Sequence, residues 1–264
     1  RPRREVGGLR HVAIRKLLPA LAKLRDEIRV EDEMEHAAGL AESRFCGVTY
    51  VYGDAGMGKS RLAYEFCGTL RPRVETRYLP CDNILRKSLN PFTGFLAEFF
   101  ETAGIREDEG RKALFEDLSA GLIREVRQAA GPETAAIADE LARTKSILGG
   151  LVGLRWPGSL YEELEPQARF ENSLYAIKNF FQALSTVRPT IVVLDDMQWL
   201  DPDSRRAFEV LTRRIEAFPI MNIAAGRFHD DGSRPTLTLD PDTPTREIVL
   251  RSFDPAPMSG ELAR

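Results

Sequence analysis

Apolar positions change their spacing several times along this chain, and each change marks an element. From residue 9 to residue 25, Val12, Ile14, Leu17, Leu18, Leu21 and Leu24 form a helical stripe, with a kink expected at Pro19. Residues 26–44 are acidic and weakly periodic, which predicts a surface helix and loop. At Gly47 to Tyr52 the pattern becomes a β-prone run, Gly-Val-Thr-Tyr-Val-Tyr. A glycine-rich stretch follows, and then Leu62, Phe66 and Leu70 recur at helical spacing.

A second strand is expected over Val74 to Leu79, and Phe92, Phe95, Leu96, Phe99 and Phe100 mark a helix facing the core. Residues 105–150 read as short helices separated by Gly110, Gly121, Gly131 and Pro132. Phe170, Leu174, Ile177, Phe181 and Leu184 define a strong amphipathic helix from Gln167 to Val187, stopped by Pro189. Thr190 to Leu194 is continuously apolar, as a strand buried on both faces of a parallel sheet must be. Asp201-Pro202 predicts a helix start, with an N-cap and a proline at the first helical position. Phe208, Leu211, Ile215 and Phe218 follow on its buried side. Met221 to Ala225 and Glu247 to Leu250 complete five strands. Strands that alternate with helices imply a parallel α/β sheet.

Composition narrows the class. The 264 residues are 43% hydrophobic and 29% charged, which excludes a disordered chain. At about 150 residues per domain this is one large domain or two small ones. No apolar run nears the roughly 18 residues that span a bilayer, so no membrane partner is expected. Lys and Arg total 37 against 40 Asp and Glu, a net charge of −3. That balance lacks the basic footprint of a nucleic-acid binder, and no direct nucleic-acid contact is expected. Cys46, Cys67 and Cys81 are odd in number and far apart, which suggests reduced thiols and a cytoplasmic setting. Neither Cys-x-x-Cys nor His-x-x-x-His occurs, so no zinc site is expected. Arg1, Arg3 and Arg4 make a small basic start, read here as a cut end.

The chemistry begins at Gly53-Asp54-Ala55-Gly56-Met57-Gly58-Lys59-Ser60, a full match to G-x-x-x-x-G-K-[ST]. Glycines let the backbone curl so that successive N–H groups cradle phosphate oxygens. The following helix adds its positive dipole end. Lys59 supplies a cation to the outer phosphates and Ser60 a hydroxyl to magnesium. The same residues would suit a plain glycine turn, but the strand before and helix after supply the context that phosphate binding needs. The second element is Ile191-Val192-Val193-Leu194-Asp195-Asp196. Ligands in open α/β sheets sit beyond the carboxyl ends of the strands. There Asp195 can hold magnesium opposite Ser60, and Asp196 can orient or deprotonate an attacking water. Alternatively, both acids merely solvate a strand end or cap the next helix. The third element is Arg227, just after a strand, able to reach a terminal phosphate or simply exposed. Trp199 reads as a packing residue.

The guanine-reading Asn-Lys-x-Asp is missing from the sequence, which shifts the choice of nucleotide to ATP. Asp195 lies 135 positions after Ser60, with a strand between. Gly53 to Leu62 resembles the first motif of STAND ATPases, multidomain signalling relatives of AAA+ proteins. Val193-Leu194-Asp195-Asp196-Met197-Gln198-Trp199-Leu200-Asp201 resembles their second motif, and Ala225-Gly226-Arg227 their sensor segment. Val6-Gly7-Gly8 is similar to a Val-Gly-Arg segment lying against adenine, with Gly8 in place of the arginine. The resemblance extends from about Val6 to Leu250. It implies that Gly53 to Arg61 bind the nucleotide, that Ser60 and Asp195 hold Mg2+, and that Lys59, Asp196 and Arg227 serve hydrolysis. It also implies an ATP/ADP switch acting on neighbouring domains of a larger chain, with nucleotide-dependent self-association.

The expected fold is therefore a three-layer α/β P-loop NTPase with a five-stranded parallel sheet. Residues 1–46 form a helical lead-in and 47–250 the ATPase core. A helical insertion at about 105–165 packs at the sheet edge, and 251–264 begin a truncated C-terminal extension, making this an excised module. The expected activity is Mg-dependent ATP binding with slow hydrolysis. A P-loop phosphotransferase acting on a small molecule, or a non-hydrolysing ATP-binding scaffold, are the alternatives.

Overall fold

The computed structural model describes residues 44–83, 87–101, 107–129, 131 and 133–251. The stripe at 9–25, most of the acidic stretch after it, Val6-Gly7-Gly8 and the end of the chain lie outside the described residues. Five strands run β1 (Val48–Tyr52), β2 (Glu75–Pro80), β3 (Thr190–Asp195), β4 (Ile220–Gly226) and β5 (Thr245–Val249). They form one sheet in the order β2-β3-β4-β1-β5, every pairing parallel. All carboxyl ends therefore meet at one rim.

Alternation along the strands feeds two cores. Val48, Tyr50, Tyr52, Val192, Leu194 and Ala224 face one way, and Val51, Ile191, Val193, Ile223 and Ala225 the other. The second face is covered by α1 (Lys59–Thr69) through Ala63 and Cys67. The first carries α2 (Asn90–Phe99), α6 (Pro166–Val187) and α7 (Pro202–Thr212). Helix, sheet and helix make three layers. The Asp201 cap forms as its sequence predicts: Oδ1 accepts from the Ser204 N–H at 2.9 Å, with Pro202 opening α7.

The 105–150 stretch departs from the expected short helices. It forms two long ones, α3 (Asp108–Gln128) and α4 (Thr134–Leu151), followed by the single turn α5 (Leu160–Glu163). Gly110 and Gly121 lie inside α3, which runs unbroken to its C-cap at Ala129 before α4 begins at Thr134. A lone glycine weakens a helix interior by only about 1 kcal/mol, which buried Phe115, Leu122 and Val126 outweigh. α3 and α4 pack on α6, and α5 packs on α4. The join is aromatic. Phe180 of α6 meets Phe95, Phe99 and Phe100 at ring-centroid distances of 5.0–6.2 Å, and Phe100 meets Phe115 of α3 at 4.3 Å. Phe115 in turn meets Trp156 at 5.5 Å. Gly149 and Gly150 of α4 are the sockets: a Cβ there would lie 2.4 Å from the Trp156 ring and 2.3 Å from the Tyr161 ring.

Phe180 is fully buried at the centre of this cluster. Phe180→Ala is expected to lower unfolding free energy by about 3–5 kcal/mol. Denaturant unfolding checks this, and a loss under about 1 kcal/mol would mean that the cluster does not hold the helices together.

Candidate functional site

β1 ends at Tyr52, and the chain turns through residues 53–58 into α1. A side chain at Gly53 would press on Leu250, with a Cβ 3.1 Å from its Cβ and its carbonyl oxygen. Leu250 is held there by its N–H, which donates to the Tyr52 carbonyl at 2.8 Å. Gly56 and Gly58 take φ of 79° and 85°, the left-handed region that glycine enters without strain. Gly58 is the N-cap of α1 and provides no side-chain cap. The first-turn N–H groups of Lys59, Ser60 and Arg61 therefore project from the helix end without intrahelical acceptors.

Lys59 is buried, and its Nζ donates to the Gly53 and Asp54 carbonyls, each at 2.9 Å. Burial pulls its pKa below the ordinary lysine value, and the nearby Arg227 charge adds to this. Asp196, Asp195 and Asp54 act in the opposite sense. Ser60 Oγ donates to Asp195 Oδ1 at 2.9 Å, and the Asp196 N–H donates to the same oxygen at 3.0 Å. A hydroxyl beside a carboxylate is the hard oxygen pair that suits magnesium, which completes its shell with water and phosphate oxygens. Among the described residues no group of three His, Cys, Asp or Glu gathers as a metal site. Ser60 and Asp195 are thus donors that could hold magnesium, beside a glycine loop whose N–H groups could receive phosphate.

Asp196 adopts φ 56° and ψ 45°, left-handed for a residue with a side chain. Its Oδ1 accepts from Gln198 Nε2 at 2.8 Å. Gln198 Oε1 in turn accepts from the Arg227 backbone N–H at 2.9 Å. The Arg227 guanidinium stands 4.0 Å from Asp196 Oδ1. Gly226 makes this approach of β3 and β4 possible, since a Cβ there would lie 2.6 Å from Met197 Cγ. The segment after Arg227 is tied to the sheet by two buried tyrosines. Tyr52 Oη donates to the Pro235 carbonyl at 2.9 Å, and the Leu237 N–H donates to Tyr50 Oη at 3.3 Å.

The residues singled out from the sequence thus converge on one rim. Two of their side chains turn away: Arg61 runs along α1 to Glu65 at 3.4 Å and Met57 packs on the second core, leaving their backbone as their part of the loop. The sequence assigns no role of its own to Gln198, which stands within the 193–201 motif two positions after the second aspartate. A cleft of about 580 Å³ also opens beside Asp196 and Arg227, walled by Tyr78, Cys81, Phe95, Glu98 and Trp199. Trp199 packs partly against the core while lining that cleft.

With this geometry in view, the family match is direct. A family model described as an AAA ATPase domain matches residues 31–223, and the chain belongs to that family. Its members bind ATP with Mg2+ and hydrolyse it. An uncharacterized protein of Rhizobium meliloti (strain 1021) is 27% identical over 232 residues, covering 86% of this chain. The chain spans 20% of that relative's length. The solved structure of Drosophila ORC bound to DNA aligns with 78% of this chain and 38% of its own, at 13% identity and a TM-score of 0.28. Among the described residues no helix is long and apolar enough to cross a membrane.

The cleft also carries a prediction. Burial, then the charges of Asp195, Asp201 and Asp196, push the Cys81 thiol up to about 12. At neutral pH its thiolate fraction is then on the order of 10⁻⁵, and the thiolate is the nucleophile. Iodoacetamide should leave Cys81 unmodified in the folded chain at neutral pH, as read by peptide mass. Alkylation at the rate of an unfolded control would contradict this environment.

Proposed function

We propose that this chain is the nucleotide-binding core of a STAND-type signalling ATPase. It binds ATP with Mg2+ and hydrolyses it slowly, so that the ATP and ADP states hold neighbouring domains differently. The observation that carries the reading is the 2.9 Å bond from Ser60 to Asp195, which joins two motifs 135 positions apart. It puts the metal-binding pair beside a glycine cradle, as an ATP site requires.

In this reading the Gly53–Arg61 backbone binds the phosphates and Lys59 neutralises them. Ser60 and Asp195 hold magnesium, which screens phosphate charge. Asp196 orients the attacking water and accepts its proton. Arg227 stabilises charge on the terminal phosphate, a contribution worth roughly 10³ to 10⁵ in rate where such an arginine is well placed. The motif residues at 193–201 and 225–227 support the STAND assignment. The Rhizobium relative, about five times longer than its match here, supports a place within a larger protein. Nucleotide-dependent self-association and a cytoplasmic setting belong to the same proposal.

A second reading, transfer of phosphate to a small molecule, is favoured by one observation: the 580 Å³ cleft opening at Asp196. ADP formation without free phosphate, stimulated by a metabolite, would select it.

Lys59→Ala should weaken ATP affinity about tenfold or more with the fold intact, the scale of a lost charge-assisted bond of about 1.5–3 kcal/mol. The pH dependence has a definite sign. Lys59 is held below its ordinary pKa, and bound phosphate would raise it, so the complex takes up a proton. ATP affinity should therefore fall as pH rises through the free protein's Lys59 value, and that slope should vanish in Lys59→Ala. Calorimetry decides both points, and unchanged affinity in the folded variant removes Lys59 from the phosphate site.

The two acids should separate. Asp195→Asn is expected to weaken Mg-dependent ATP binding, while Asp196→Asn leaves binding near normal and lowers hydrolysis by about 10²-fold or more. Wild-type phosphate release should stay far below the roughly 1–100 s⁻¹ of kinases. Identical defects in the two variants would refute the division of roles, and fast turnover independent of protein concentration would refute the switch.

A further inference from the structure

Asp196 has its backbone held on both sides, its N–H donating to Asp195 Oδ1 at 3.0 Å and its carbonyl accepting from the Trp199 N–H at 2.9 Å, so what remains to be aimed is the carboxylate. After β3 the chain takes a left-handed step at Asp196 and enters a single 3₁₀ turn, Met197–Trp199. The carboxylate and the Arg227 guanidinium are both about half exposed, and their 4.0 Å separation is long for an ion pair. Water screens such a pair, and its hold on geometry is weak. The Gln198 amide makes the shorter contacts, at 2.8 Å to Asp196 and 2.9 Å to the Arg227 N–H. Its orientation follows from chemistry. An ionised carboxylate only accepts and a backbone N–H only donates, so the NH₂ must face Asp196 and the oxygen must face Arg227.

The bridge joins the ends of two neighbouring strands. β3 and β4 pair directly, with Leu194 opposite Ala224. Gly226 lets the Met197 turn settle onto β4, and this brings Gln198 within reach of Arg227. One side chain thus connects the water-orienting acid to the start of the segment that presents the arginine.

We propose that Gln198 is the positioning residue of the hydrolytic site: it aims the Asp196 carboxylate by anchoring it to the end of β4, and it serves hydrolysis rather than ATP binding. The proposal rests on the role given above to Asp196. The hydrogen bonds of the Gln198 amide go to Asp196 and Arg227 and not to the glycine loop, Ser60 or Asp195, so its removal should leave those intact. Partners that orient a reacting group in this way are typically worth 10- to 100-fold in activity.

The test uses the full 264-residue chain. Single-turnover ATP hydrolysis, ATP affinity and thermal stability are measured for wild type, Gln198→Ala, Gln198→Glu, Asp196→Asn and the Gln198→Ala/Asp196→Asn pair. Gln198→Ala should lower the hydrolysis rate about 10- to 100-fold with ATP affinity within twofold. Gln198→Glu keeps the acceptor for Arg227 but loses the donor to Asp196, and it should be equally impaired. A role limited to holding the Arg227 N–H would leave it near wild type. In the Asp196→Asn background Gln198→Ala should cost nothing further, since its effect passes through that carboxylate; additive losses overturn the proposal. If Asp196→Asn hydrolyses normally, the reading of Asp196 itself fails. If Asp196→Asn is impaired and Gln198→Ala is not, only the positioning role fails. A readout independent of turnover is the Gln198 side-chain amide NMR signal, assigned by its loss in Gln198→Ala. It should shift in Asp196→Asn, and an unchanged signal would show that the bridge does not form.

Discussion

Everything at the site depends on parallel strands finishing together. β1 and β3 are not neighbours; β4 lies between them. The Ser60–Asp195 bond therefore reaches across the end of an intervening strand. That strand closes with Ala224, Ala225 and Gly226, small residues that leave the rim low. A bulky end to β4 would separate the glycine loop from the acids, whatever their own geometry. Registry along the sheet sets the reach of every polar contact at the rim.

Charge is the second constraint. Lys59 and Arg227 share the rim with Asp54, Asp195 and Asp196, and each influences Lys59. Clustered opposite charges limit one another's desolvation penalty, which is how a buried ammonium is tolerated. The loop carbonyls of Gly53 and Asp54 help by accepting from Nζ. The lysine therefore holds the curvature of its own loop, and phosphate would compete for an ammonium that already has partners.

Strands and loop were legible because their signals are local. Val192 and its neighbours leave no polar position for solvent, and Gly53 to Ser60 spells out its own backbone. The helices at 108–151 were harder. Gly110 and Gly121 look like breaks when read by propensity, but tertiary burial of Phe115 and Leu122 carries α3 through both. Gly149 and Gly150 interrupt an apolar stretch with no signal of what they face, and their missing side chains are what Trp156 and Tyr161 occupy. Gln198 stayed hidden for a related reason. Its two partners are Asp196, close in sequence, and Arg227, which is 29 positions away and reachable only through the pairing of β3 and β4.

The left-handed backbone at Asp196 has its own consequence. A residue with a side chain in that region is strained by about 1–3 kcal/mol, and glycine would relieve it. The sheet would then be more secure, but Gln198 and Arg227 would face each other with no carboxylate between them. At this position stability and chemistry ask for different residues. A library screened for thermal tolerance alone would drift toward glycine here, enriching sturdy proteins that have lost the acid.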